Sequence, residues 1–290
     1  MTTEPAGIRG VVHALSPVAT AAVTFAIADV CAKVALVSGT DVTSMLAFRS
    51  MVGLGLVFAW MRLSRPAALA PAGRWVALGL GVLLTAMLYL LFKAIELVPV
   101  SIAILTYFVY PLLTGIVGAA TGIDRLTVAG AGTALVALLG LALILGASSG
   151  LAVAGLVAAV AAAMCRAAIL LITRAALKGS DARIVTWYTL WSSTVVFVAL
   201  ALASWDWHWP HGAAGWTAFV AIGFAMTVAI FTLYVSTERI GPFRTALFMN
   251  LEPLATAALG VVVLGERLTA VQMLGGVTMI AALCLFQMRR

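Results

Sequence analysis

Five ionisable side chains stand inside long apolar stretches of the sequence: Asp29, Lys33, Arg49, Arg166 and Glu252. A charge set among apolar residues costs about 3 kcal/mol or more unless it is partnered, so each must face a polar interior or a counter-charge. Asp29 and Lys33 are four residues apart, on one face of a helix, where they neutralise each other. Glu252 has no cation three or four residues away. That leaves it three uses: to bind a substrate ammonium, to carry a coupling proton, or to bond a backbone group freed by a kink. The third needs no ligand and is the plainest. Next to it stands Pro253, and 142 residues earlier Tyr110 is followed by Pro111. A proline inside a helix removes one amide donor and crowds the carbonyl four residues back, here Tyr107 and Met249. Both prolines therefore mark hinge or kink positions near a polar path.

Tyr107, Tyr110 and Thr114 share one helix face at i, i+3, i+7 spacing, and Met249, Glu252 and Thr256 are their counterparts. Phe248 and Asn250 flank the second set. Tyr89 corresponds to Phe231 and Thr85 to Thr227 in the same way. These residues, Tyr107, Tyr110, Phe248, Asn250, Glu252, Tyr89, Phe231, Thr85 and Thr227, are the expected substrate-contacting set. Their chemistry is aromatic stacking with a few hydrogen bonds and one carboxylate. Packing alone is the competing reading, equal in weight for Tyr89 and Phe231.

The usual catalytic sets are missing. Asp29 is the one aspartate in an apolar run, and His13, His208 and His211 sit near the ends of such runs. Neither an aspartate pair nor a serine–histidine pair can form at depth, so an enzyme is not expected. Cys31, Cys165 and Cys284 are isolated packing residues with no metal spacing. No P-loop motif follows a strand, which argues against ATP hydrolysis. No cofactor or metal is expected.

The elements that must position these residues follow from composition. Of 290 residues, 64% are hydrophobic and only 9% charged. A water-soluble domain carries about a quarter charged residues, so the surplus apolar surface must meet lipid. Ten runs are long enough to cross a bilayer as helices: 14–37, 42–62, 74–95, 98–120, 126–147, 150–172, 183–204, 213–236, 242–263 and 268–288. The expected fold class is all-α integral membrane. The net charge of +7 is spread through short gaps between runs, a pattern of membrane orientation rather than nucleic-acid binding. Twelve of the 17 Lys and Arg fall on the side of the N-terminus, which places both termini in the cytoplasm of a bacterial inner membrane. The segment from Trp205 to Trp209 then lies outside, as an interfacial aromatic belt.

The sequence also repeats itself. Asp124-Arg125-Leu126-Thr127 recurs as Glu266-Arg267-Leu268-Thr269, and Pro111, Thr114 and Gly118 recur as Pro253, Thr256 and Gly260. Five helices per half is an odd number, so residues 148–290 form an inverted copy of residues 1–147. Inverted repeats are characteristic of secondary transporters. Glycines at 118, 122, 130, 132, 275 and 276 give small faces for close helix contact.

With Glu252-Pro253 in helix nine and Gly265-Glu266-Arg267-Leu268-Thr269 opening helix ten, the whole chain resembles the drug/metabolite transporter superfamily. It is most similar to that superfamily's ten-helix branch of bacterial exporters, the EamA type, and within it to exporters of aromatic amino acids. The resemblance implies two five-helix repeats, alternating access, a small-molecule substrate in a lipid bilayer, and protons as a possible coupling ion. Oligomeric state is left open. Export of amino acids with aromatic or large apolar side chains is the expectation. Efflux of hydrophobic or cationic drugs is the alternative, and a non-transporting receptor or scaffold is the alternative of another class. A phosphorylated sugar would want clustered cations, and Lys33, Arg49 and Arg166 are spread in depth.

The odd helix number places Arg125 and Arg267 on opposite faces of the membrane. Cysteines introduced at 124 and 266 should therefore react with an impermeant thiol reagent from opposite sides, and labelling from one side alone would defeat the inverted repeat.

Overall fold

A computed structural model of the chain describes residues 8–64, 68–98, 103, 106–145, 152–204, 207–264 and 270–288. Trp205, Asp206, the stretch from Gly265 to Thr269, the 147/148 repeat boundary and both chain ends lie outside the described residues, as do the side chains of His13, Glu96 and Cys284. Among the described residues all regular structure is helical. In the first half α1 is Ile8–Val37, α2 Val42–Ser64, α3 Pro71–Leu97, α4 Tyr110–Ala120 and α5 Val128–Leu145. In the second, α6 is Val153–Ala176, α7 Ala182–Ser204, α8 Gly212–Ile240, α9 Pro242–Phe248, α10 Leu251–Leu264 and α11 Ala270–Met288. Among the described residues seven stretches are long and apolar enough to cross a membrane, Pro242–Val263 counting as one, and three shorter apolar helices accompany them. The protein is an all-helical integral membrane protein with the ten-span plan of two five-helix repeats.

The boundaries fall within a few residues of expectation, with one correction. Spans four and nine each carry a local interruption of the α-helical bonding. It falls at Phe108 and Val109 before α4, and at Met249 and Asn250 between α9 and α10, where Val109 and Met249 keep right-handed helical backbone angles and tighter three-residue bonds replace the regular ones. Pro111 is the second residue of α4 and Pro253 the third of α10. In a first helical turn the missing proline amide would have had no intrahelical acceptor anyway, so proline costs little there.

Helix starts are fixed by side chains where loops meet water. The Asp41 carboxylate accepts the Thr43 amide at 2.8 Å and the Ser44 amide at 3.2 Å, capping α2. Burial tends to raise that carboxyl, but its hydrogen bonds from Ser44, Thr43 and His208 outweigh this and hold it below the usual range. Asp181 does the same for α7, accepting the Arg183 amide at 2.9 Å. The hydrogen bond from the Arg183 guanidinium holds the Asp181 carboxyl low.

Packing between the halves is paired. Contact of α1 with α8 is mirrored by α6 with α3, α2 with α8 by α7 with α3, and α1 with α10 by α6 with α4. Helices α2 and α7 meet each other, as do α5 and α11. At one end, loop 207–211 docks on the turn after α1: Thr40 Oγ1 donates to the His208 carbonyl at 2.6 Å and the His211 amide to the Ser38 carbonyl at 2.7 Å. Trp207, Trp209 and Trp216 stack in series beside it, as an interfacial belt would. At the other end, Asp124 accepts the Phe243 amide at 3.0 Å, tying the end of α4 to the start of α9. Gly241, at φ 87°, makes that approach possible, since a Cβ there would lie 3.1 Å from the carboxylate.

Small residues set the closest helix contacts. A Cβ on Gly81 would meet Ser192 Oγ at 2.0 Å and the Thr189 carbonyl oxygen at 2.2 Å. Gly223, its repeat mate, would strike Val52 at 2.6 Å. Gly118, Gly130 and Gly276 are likewise packed, whereas Gly132 faces open space. Opposite these contacts run stripes of exposed apolar residues that lipid must cover: Trp75, Val82 and Tyr89 on α3, and Val153, Val157, Val160 and Met164 on α6.

Gly81→Ala should lower the thermal stability of the detergent-solubilised protein by about 1–3 kcal/mol, because a backbone carbonyl cannot move aside. Gly79→Ala, two residues along with nothing within 4 Å, should be neutral or slightly stabilising. Equal melting temperatures for the two variants would contradict the α3–α7 contact.

Candidate functional site

The interruptions of spans four and nine come together in the middle of the bundle, where α4 packs on α9 and α6, and α10 on α1. At the first break Tyr107, Phe108 and Tyr110 form a triangle of rings with centroids 5.4 to 5.6 Å apart. All three are buried, as is Phe248. The Tyr107 hydroxyl reaches Met87 Sδ at 3.6 Å, which is a weak bond for a phenol. The Tyr110 hydroxyl, in a residue only 1% exposed, has no acceptor for its proton among the described residues.

Arg166, from α6, stands beside this triangle. Its guanidinium lies 5.1 Å from the centroid of Phe25 and 5.7 Å from that of Tyr110, within cation–π range of both. The residue is 3% exposed, and its Nε also lacks a partner. Tyr107, Tyr110 and Glu252 are its electrostatic neighbours. Glu252, half-buried in the first turn of α10, is in turn within electrostatic reach of both Arg166 and Asp29. Asp29 accepts a hydrogen bond from Thr256 Oγ1 at 3.3 Å and is neighboured by the buried Arg49 of α2. Unlike the arginines, Asp29 is accessible. The centre thus brings two carboxyl groups and two guanidiniums together from four different spans, walled by aromatic rings.

The breaks themselves are braced. The Met249 carbonyl, which Pro253 deprives of its usual donor, accepts the Glu252 amide at 2.9 Å. Asn250 is 2% exposed and donates its side-chain amide to the Leu247 carbonyl at 2.8 Å, closing the last turn of α9. It serves the break rather than a free surface.

The expected substrate set therefore divides. Tyr107, Tyr110 and Glu252 converge, and Phe248 is buried next to the second interruption. Tyr89 does not: it is 59% exposed on the outer stripe of α3. Phe231 packs against Trp60 at 4.7 Å, away from the centre. Thr85 bonds Gly81 and Ser193, and Thr227 bonds the Gly223 carbonyl at 2.6 Å, so both belong to helix packing. Met164 lies outward as well, while Met87 and Met249 are interior. Conversely, Asp29, Arg49, Arg166, Phe25 and Thr256 enter the centre. Their burial cost was readable in sequence, but their partners lie on other spans. Asp29 engages Arg49 of α2 and Thr256 of α10, and Glu252 has Arg166 of α6 as its neighbouring cation.

Two five-span repeats, each interrupted at its fourth span beside a polar centre, define a membrane protein built on the secondary-transporter plan. The model of the EamA-like transporter family matches residues 13–146 and again residues 153–288. The chain belongs to that family. A crystal structure of another protein superposes with a TM-score of 0.81 at 20% identity, covering 96% of this chain and 99% of that one. At that identity the likeness is one of fold. Among curated proteins no match is found.

The electrostatic proximity of Arg166 and Glu252 has a measurable consequence. Residues coupled in this way, without a direct ion pair among the described residues, interact by about 0.5–3 kcal/mol. Arg166→Gln and Glu252→Gln should each lower thermal stability in detergent, and the double variant should lose clearly less than their sum. Strict additivity would show that the two groups do not interact.

Proposed function

We propose that this protein exports amino acids with aromatic or large apolar side chains by alternating access between its two repeats, residues 1–147 and 148–290. The observation that carries this reading is the cluster of Tyr107, Phe108 and Tyr110 beside two arginines and two carboxyl groups at the two helix interruptions, with Phe248 buried next to the second. An aromatic side chain gains about 1–3 kcal/mol from burial and ring contact in such surroundings. A polyanion would meet Glu252 and Asp29 as well as the arginines. Methionines 87 and 249 add soft walls that repack around different shapes, so selectivity among large side chains should be broad. The reading places the protein in the inner membrane of a bacterium with both termini cytoplasmic, following the distribution of basic residues. A role for protons as the coupling ion fits the accessible carboxylates at the centre.

Efflux of cationic drugs is the second reading, and the two central acids favour it. Counterflow in proteoliposomes distinguishes the two. Phenylalanine, tyrosine or tryptophan should exchange well above glycine, and Tyr110→Ala or Phe248→Ala should reduce aromatic flux more than that of small amino acids. Equal exchange of glycine and phenylalanine, unaffected by either replacement, would remove the aromatic lining from the mechanism.

A further inference from the structure

We infer that the central site reads both charges of a zwitterion: Arg166 and the Tyr110 hydroxyl take the substrate's carboxylate, and Glu252 with Asp29 takes its ammonium. This rests on the amino-acid reading above and adds residues and roles to it.

The starting point is two buried donors that nothing answers. Arg166 Nε and the Tyr110 hydroxyl have no acceptor among the described residues, although the residues are 3% and 1% exposed. The guanidinium is the hydroxyl's polar neighbour, but an arginine only donates, so the phenolic proton stays unanswered. A buried donor left unmade is costly, and two adjacent ones in a membrane interior would not persist as packing alone. The guanidinium is held over the Tyr110 ring at 5.7 Å, so both donors belong to one small region. Phe25 lies beside it as well, at 5.1 Å, and the unanswered Nε marks the edge for recognition. That edge of an arginine presents parallel N–H groups matched to the two oxygens of a carboxylate. Lysine could not reproduce it.

The acids complete the site. Glu252 is within reach of Arg166 on one side and Asp29 on the other. Asp29 is accessible and steadied by Thr256 at 3.3 Å. An α-amino acid holds its ammonium and carboxylate one carbon apart. A cation beside an anion is therefore the arrangement it requires, while a simple amine or a simple acid leaves one half of the site unanswered. Its desolvation cost is offset only when both charges are met. The rings of Tyr107, Tyr110 and Phe248 then surround the side chain.

The test uses the unmodified full chain in proteoliposomes. Counterflow of labelled phenylalanine is competed with unlabelled phenylalanine, with phenethylamine, which lacks the carboxylate, and with 3-phenylpropionate, which lacks the ammonium. Each single-charge analogue should compete at least tenfold more weakly than phenylalanine. Arg166→Lys should weaken phenylalanine competition while leaving that of phenethylamine as it was, and Glu252→Gln should do the converse with 3-phenylpropionate. Phenylalanine counterflow competed equally well by either analogue overturns the zwitterion site and leaves the exporter reading standing. A parallel loss of all three ligands in Arg166→Lys assigns that arginine to packing and overturns its role. Absence of phenylalanine counterflow overturns the exporter reading itself, and this inference with it.

Discussion

Inside a bilayer no water is available to satisfy a peptide group, so every amide and carbonyl that leaves a helix must find a partner within the protein. This constraint explains why spans four and nine can break only where they do. The break in span nine is closed by its own residues: Met249 O accepts the Glu252 amide, and the Asn250 side chain takes the Leu247 carbonyl. Each prolyl ring then sits in the first turn of the following segment, where its missing amide is not missed. Irregular backbone at membrane depth is tolerated where protein covers it, and packing of α4 on α6 and α9 and of α10 on α1 supplies that cover. The polar centre is thus a consequence of the breaks as much as their purpose.

The same constraint governs the charges. Arg166 and Arg49 are buried as deeply as many leucines of the chain, and each lies near a carboxylate carried by a different helix. Asp29 and Glu252 are themselves within mutual reach, so the four groups interact as one cluster. Adding an uncompensated charge to such a cluster in low dielectric is costly unless an opposite charge arrives with it. A site of this kind favours ligands that are neutral in sum and charged in detail.

How much of this was legible in the sequence depends on the kind of signal. The spans were legible because about twenty apolar residues in a row bury their surface best by crossing a bilayer. The breaks were half legible: Pro111 and Pro253 gave their location, but a kinked and an interrupted helix share the same proline. The lining was legible only where polarity forced it. Tyr107 and Tyr110 stand beside prolines and proved interior, whereas Tyr89 is followed by the same kind of apolar residues whether it faces lipid or protein. Its position seven residues after Val82 and fourteen after Trp75 puts it on the outer stripe, and both stripes of such a helix are apolar. Thr85 and Thr227 were ambiguous for a related reason: a threonine that bonds the carbonyl four residues back satisfies itself, and needs no ligand to be tolerated.

The ionic partners were illegible for a different reason. Asp29 and Lys33 at i, i+4 look self-sufficient, and only the fold shows that Asp29 also touches Thr256, 227 residues away. Pseudo-symmetry narrows such possibilities but does not name the partners, because the centre is where the repeats differ: Tyr110 stands in one half where Glu252 stands in the other. A perfectly symmetric pair of breaks would present two tyrosines or two acids. Two tyrosines would leave Arg166 without a carboxylate beside it, and two acids would overbalance the arginines. The exchange of one hydroxyl for one carboxylate is what gives the centre both an unanswered donor and a charged acceptor. The divergence of the repeats at this position is therefore what equips an otherwise two-fold scaffold to tell the two ends of a small polar ligand apart.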